Sequence, residues 1–176
     1  KIHRNFLSMS AAVDISKIKF IVCGDGFDKE KVKLEAQKYP AGKFQFLGFT
    51  ENIKSILEIL DVFGYPLNVN HYGSGEQAIN EAMYAGLPVV AFSNPAEQEI
   101  ISHNDTGILV DDEQSYVEAI KALHFNPVER AKIGMNARKH IMENLNPLQC
   151  FQNLESIYKE IMELNKRSRT FKTLIE

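Results

Sequence analysis

Five short apolar runs alternate with stretches of helical spacing along most of this chain, and no other feature constrains its fold as strongly. The runs are residues 18–23 (IKFIVC), 43–48 (KFQFLG), 61–66 (DVFGYP), 87–92 (LPVVAF) and 106–110 (TGILV). Each has the length of a strand and is bounded by turn-forming residues. Residues 28–38, 52–60, 76–85 and 95–102, between the runs, read as helices. Further helices are expected over 1–13, 111–123, 127–144 and 147–164, and Gly86 stands where a left-handed residue closes the 76–85 helix. Strands that alternate with helices build a parallel sheet covered on both faces. Such sheets bind ligands beyond the carboxyl ends of their strands. Function is therefore sought in the segments that follow a strand: 24–26, 48–50, 67–75, 93–97 and 111–112.

Length and charge narrow the classes. The 176 residues suit one domain, read as 1–164, with a polar, basic tail at 165–176. The tail carries Lys166, Arg167, Arg169 and Lys172 and reads as a solvated end. A net charge of −3 gives no basic footprint for nucleic acid. No apolar run approaches the roughly 20 residues needed to span a bilayer, and no signal peptide is visible. Cys23 and Cys150 belong to no zinc or redox motif and read as buried, reduced thiols of a cytoplasmic protein. His3, His103, His124 and His140 are scattered and read as surface residues. No internal repeat stands out.

The string His71-Tyr72-Gly73-Ser74-Gly75-Glu76-Gln77 joins a strand to a helix. Glycines let a backbone approach a ligand closely, and the first turn of a helix offers unpaired N–H groups at the positive end of its dipole. Together they suit a diphosphate, with the Ser74 hydroxyl and the His71 imidazole as further donors. The spacing is neither G-x-x-x-x-G-K-S/T nor G-x-G-x-x-G. A plain turn reads the same string equally well. Glu81 lies at the border of the apolar face formed by Ala78, Ile79, Ala82, Met83 and Ala85. A carboxylate placed there is costly unless paired or bound. It can accept two hydrogen bonds from a ribose diol; a surface pair with a lysine is the alternative.

At these residues the chain resembles a known family. Residues 81–91 (EAMYAGLPVVA) resemble the E-A-M-A-x-G-x-P-V-V-A signature of retaining glycosyltransferases of the GT-B fold, glycosyltransferase family 4. Residues 20–26 (FIVCGDG) resemble the first strand and G-x-G turn of that family's donor domain. Residues 46–49 (FLGF), 61–63 (DVF) and Glu99 followed by 106–110 (TGILV) resemble three further motifs in the family's order. The likeness runs from about residue 1 to residue 158.

The resemblance implies a Rossmann-like domain, a parallel sheet with helices on both faces, forming the C-terminal half of a GT-B fold. It implies a nucleotide-sugar donor, retention of anomeric configuration, and neither metal nor cofactor. The acceptor, a glycan or lipid-linked sugar, would be held by a separate N-terminal domain. Glu81 matches the second glutamate of the family's E-x7-E motif and would hold the ribose. Gly48 and Phe49 match the place where backbone meets the base, and Gly24 the first turn. Lys1 matches a diphosphate lysine. Gly73 stands where the family has the first glutamate of that motif, so the sugar contact passes to Glu76 or to the loop of His71, Ser74 and Gly75. Sugar choice is expected to rest on 71–77 and 93–97, including Asn94 and Glu97. The family's strand before the first helix has no counterpart here, which would leave strand edges unpaired. The resemblance names no catalytic residue in this half. It implies a fragment that binds donor without turnover, and it allows peripheral contact at the inner face of a membrane. A nucleotide-sugar epimerase of the same fold and a non-catalytic GT-B-like domain are the competing readings.

Overall fold

A computed structural model describes residues 2–69, 71, 77–145 and 147–164. In chain order the elements are α1 (Phe6–Ala12), β1 (Phe20–Cys23), α2 (Lys29–Ala36), β2 (Phe44–Gly48), α3 (Ile53–Leu57), β3 (Phe63–Tyr65) and α4 (Gln77–Tyr84). They continue as β4 (Val89–Phe92), α5 (Pro95–Ile100), β5 (Gly107–Val110), α6 (Glu113–Phe125), α7 (Pro127–Asn144) and α8 (Pro147–Glu163). The chain divides into two compact units, Lys1–Met142 and Glu143–Glu176. The first holds every strand. The second carries α8, which displays Phe151, Leu154, Ile157, Tyr158 and Ile161 as exposed side chains.

β4 organises the first unit. All four of its residues are buried, as expected of a strand covered on both faces. Side chains alternate across a strand, and here the alternation divides the core in two. Val90 and Phe92 join Phe6, Leu7 and Met9 of α1 and Tyr116, Val117 and Leu123 of α6. Val89 and Ala91 join Ile79, Ala82 and Met83 of α4 and Ala137 and Ile141 of α7. Each fully buried aliphatic side chain contributes roughly 1.5–3 kcal/mol. Helices therefore lie on both faces of a parallel sheet. Gly86 ends α4 with φ +83°, and its N–H reaches Met83 O at 2.9 Å while Leu87 N reaches Ala82 O at 3.0 Å. Those two bonds close the helix with a left-handed residue.

The sheet is not continuous. β1 pairs with β2, and β3 pairs with β4 and β5, all in parallel, but no ladder joins β1 to β3. Their unpaired edges line a common cavity of about 730 Å³, together with Leu57 and Tyr116. Its lining is chiefly apolar, and it marks the split in the sheet rather than a polar ligand site. The unpaired edges expected from the sequence are thus present.

Four expectations need correction. The first helix begins at Phe6, not at residue 1, because the preceding residues run beside the end of β3. His3 N donates to Pro66 O at 2.8 Å, and Asn68 Nδ2 donates to Ile2 O at 3.0 Å. The helix expected from 111 starts at Glu113: Asp112 is its N-cap, accepting from Ser115 N at 2.7 Å, and Asp111 lies outside. Cys23 and Cys150 are exposed, not buried. Cys23 is the last residue of β1, at the mouth of the split, and partial burial of its thiol still pushes its pKa up. His3 also departs from a surface role, since it is half-buried and stacks on Phe92 with ring centroids 5.0 Å apart.

Candidate functional site

The turns after β1 and β2 are tied together. Gly24 N donates to Gly48 O at 2.8 Å, and both glycines take positive φ, +126° and +70°. That conformation favours glycine and exposes backbone at the strand ends. Asp25 pairs with Lys29 at 3.0 Å, both half exposed, so its role is to close the turn. Phe49 projects from the second turn and is 72% exposed. Asn52 then caps α3, its Oδ1 accepting from Ser55 N at 3.3 Å.

α4 follows the 71–77 segment and carries Glu81 on its half-buried flank. The carboxylate accepts a hydrogen bond from Gln77 Nε2 at 2.7 Å, one turn back. Among the described residues it makes no ion pair with a lysine. Glu81 borders the cavity beside β3, whereas His71 does not.

His71 follows β3, and its Nε2 lies 2.8 Å from Glu97 Oε1. Glu97 sits in the first turn of α5, after β4, and is completely buried. The pair spans the carboxyl ends of two adjacent parallel strands. The pairing itself was not readable from the sequence, because 26 residues separate the two and no local spacing rule joins them. Gln77 was also missed, although its spacing of four from Glu81 on a helix was a usable signal.

The sequence-derived site residues thus fall into three places. Gly24, Gly48 and Phe49 come together, Glu81 stands on α4, and His71 joins Glu97. Lys1, Gly73, Ser74, Gly75 and Glu76 lie outside the described residues. Among the described residues no group of three or more His, Cys, Asp or Glu could hold a metal ion, and no helix is long and apolar enough to cross a membrane.

Known structures share this arrangement of strands and helices. A variant of S. aureus TarM, solved with fondaparinux, alpha-GlcNAc-glycerol and UDP, superposes with a TM-score of 0.78 at 23% identity, over 90% of this chain and 33% of that one. Anabaena Alr3699/HepE in complex with UDP-glucose gives 0.77 at 19% identity, over 89% of this chain and 45% of that one. The fold is that of a GT-B glycosyltransferase domain. The family described as glycosyl transferases, group 1, matches residues 3–140, and the chain belongs to it. The 2-deoxystreptamine N-acetyl-D-glucosaminyltransferase of Niallia circulans is 23% identical over 149 residues, which is 82% of this chain and 38% of that relative. The chain therefore spans less than half the length of these proteins.

Proposed function

We propose that this chain is the donor-binding part of a retaining glycosyltransferase, which moves a sugar from a nucleotide diphosphate to a glycan or lipid-linked acceptor. The observation that carries the reading is Glu81. It is a half-buried carboxylate on the helix after β3, held by Gln77 and without a counter-charge among the described residues. A carboxylate so placed has acceptor capacity left for the two hydroxyls of a ribose. Backbone at Gly24 and Gly48, with the exposed Phe49 ring, supplies a surface for the base. The diphosphate falls to the segment before α4 and to Lys1, with no metal required. HepE, of the same fold, holds UDP-glucose, which supports a nucleotide sugar as ligand. The acceptor, and the residues that complete the reaction, belong to the larger protein of which this domain is a part, working in the cytoplasm.

Calorimetric titration of the purified chain with UDP, GDP and dTDP tests this. One diphosphate is expected to bind, and Glu81→Ala to weaken it between about fivefold and about a hundredfold, since two hydrogen bonds of about 0.5–1.5 kcal/mol each are lost. Binding of none at millimolar concentration would refute the reading. Sugar transfer by the 176 residues alone would refute the division of labour between two domains.

A further inference from the structure

His71, Asn94 and Glu97 lie at the carboxyl ends of β3 and β4, and each keeps a buried polar atom with no hydrogen-bond partner among the described residues. The side chains of His71 and Glu97 are 4% and 0% exposed, and Asn94 is 5% exposed. The unpartnered atoms are His71 Nδ1, Asn94 Nδ2 and Glu97 Oε2. Buried polar atoms are nearly always paired, so a cluster of three calls for a cause. Helix capping is not that cause. Asn94 occupies the N-cap position of α5 and yet its side chain makes no capping bond. A first-turn glutamate also does not need burial to favour the helix dipole.

The polarity of the three atoms indicates what they meet. Glu97 Oε1 accepts a hydrogen bond from His71 Nε2–H. Glu97 Oε2 is also an acceptor, and Asn94 Nδ2 is a donor. Phosphate oxygens only accept and would face the free oxygen of the Glu97 carboxylate. Hydroxyls both donate and accept, and they match the whole set.

We propose that His71, Asn94 and Glu97 read the hydroxyls of the sugar in the donor, with Glu97 as the specificity-determining residue. The proposal rests on the donor-binding reading above. It removes His71 from the diphosphate and places a sugar-reading carboxylate after β4, in a chain that has glycine at position 73. Glu97 also orients the His71 ring, so both residues act through one hydrogen bond.

The test compares bare diphosphates with nucleotide sugars: UDP with UDP-glucose and GDP with GDP-mannose, titrated into the wild-type chain, Glu97→Gln and Asn94→Ala. For the base that binds, Glu97→Gln is expected to weaken the nucleotide sugar about tenfold, about 1.4 kcal/mol, and to leave the diphosphate within about twofold. Asn94→Ala is expected to show the same selectivity with a smaller loss. Gln keeps the shape and the acceptor for His71. If Glu97→Gln fails to fold, Asn94→Ala carries the comparison alone. Equal losses for diphosphate and nucleotide sugar, or no loss for either, overturn the sugar assignment and leave the donor reading standing. No binding of any of the four ligands by the wild-type chain overturns both.

Discussion

Gly134 of α7 packs directly against the backbone carbonyl of Gly86, so that a Cβ at residue 134 would overlap the Gly86 oxygen and lie 3.5 Å from Pro88 Cδ. Two opposing effects meet in Gly134→Ala. Alanine in a helix interior is favoured over glycine by about 1 kcal/mol. Overpacking against a backbone that cannot move freely costs about 1–3 kcal/mol. Gly86 is held at φ +83° by the end of α4, so the overlap wins. Gly134→Ala is expected to lower the denaturant midpoint of unfolding. Gly26→Ala, where an added Cβ meets nothing within 4 Å, is expected to stay within about 0.5 kcal/mol of wild type.

Tyr116 gives the domain an alkaline limit. Its phenol is 2% exposed, and burial pushes its pKa well above the ordinary value of 10.0. The folded state therefore keeps the proton after the unfolded state has lost it. The stability tied to this proton is complete below pH 10 and falls as pH rises beyond it, by up to ~1.4 kcal/mol per pH unit. Tyr116→Phe is expected to remove that slope, as seen by comparing the unfolding of the two proteins between pH 9 and about 11.

Asp112 sets a limit on the acid side. Its carboxylate accepts from Ser115 N and from Ser115 Oγ, both at 2.7 Å, and these bonds hold its pKa below the ordinary 3.8. Their contribution is complete above that value and is lost as pH falls through the lowered pKa. Asp112→Asn keeps an N-cap acceptor. The variant is expected to match wild type near neutrality and to show a smaller loss of Tm in acid.

Gln77 holds Glu81, and its loss should be felt at the ligand. Gln77→Ala is expected to weaken diphosphate binding about two- to fivefold, less than Glu81→Ala, because one orienting bond of about 0.5–1 kcal/mol is lost and the carboxylate remains. Calorimetry on both variants decides this; an unchanged affinity would separate Gln77 from the site.

Both thiols should be open to reagent. Cys23 and Cys150 are exposed, and two equivalents of a disulfide reagent are expected to react without denaturant. The raised pKa of Cys23 means less thiolate near pH 8, so its labelling is expected to speed up on unfolding.

Local pattern carried most of the fold. The runs at 18–23, 87–92 and 106–110 became β1, β4 and β5 with ends trimmed by one to two residues, and the 127–144 helix is α7. What local pattern cannot carry is pairing. Nothing in the composition of β1 or β3 says that they remain apart, because a strand's neighbours are chosen across the whole chain. The same limit hid the His71–Glu97 bond, formed between residues 26 apart. Burial of Cys23 was misjudged for a related reason: an apolar run reads as covered, whereas its last residue stands where the sheet is split.

The split also determines what fastens β1 and β2 to the rest of the domain. No ladder hydrogen bond crosses from β1 to β3, while Phe20, Val22, Phe44 and Phe46 pack on the core that contains Val90 and Tyr116. The two sheets adhere through partly buried side chains and not through a shared backbone lattice. Apolar association weakens on cooling. The seam between the sheets is therefore the joint whose apolar contribution fades on cooling, whereas the ladders within each sheet rest on backbone hydrogen bonds.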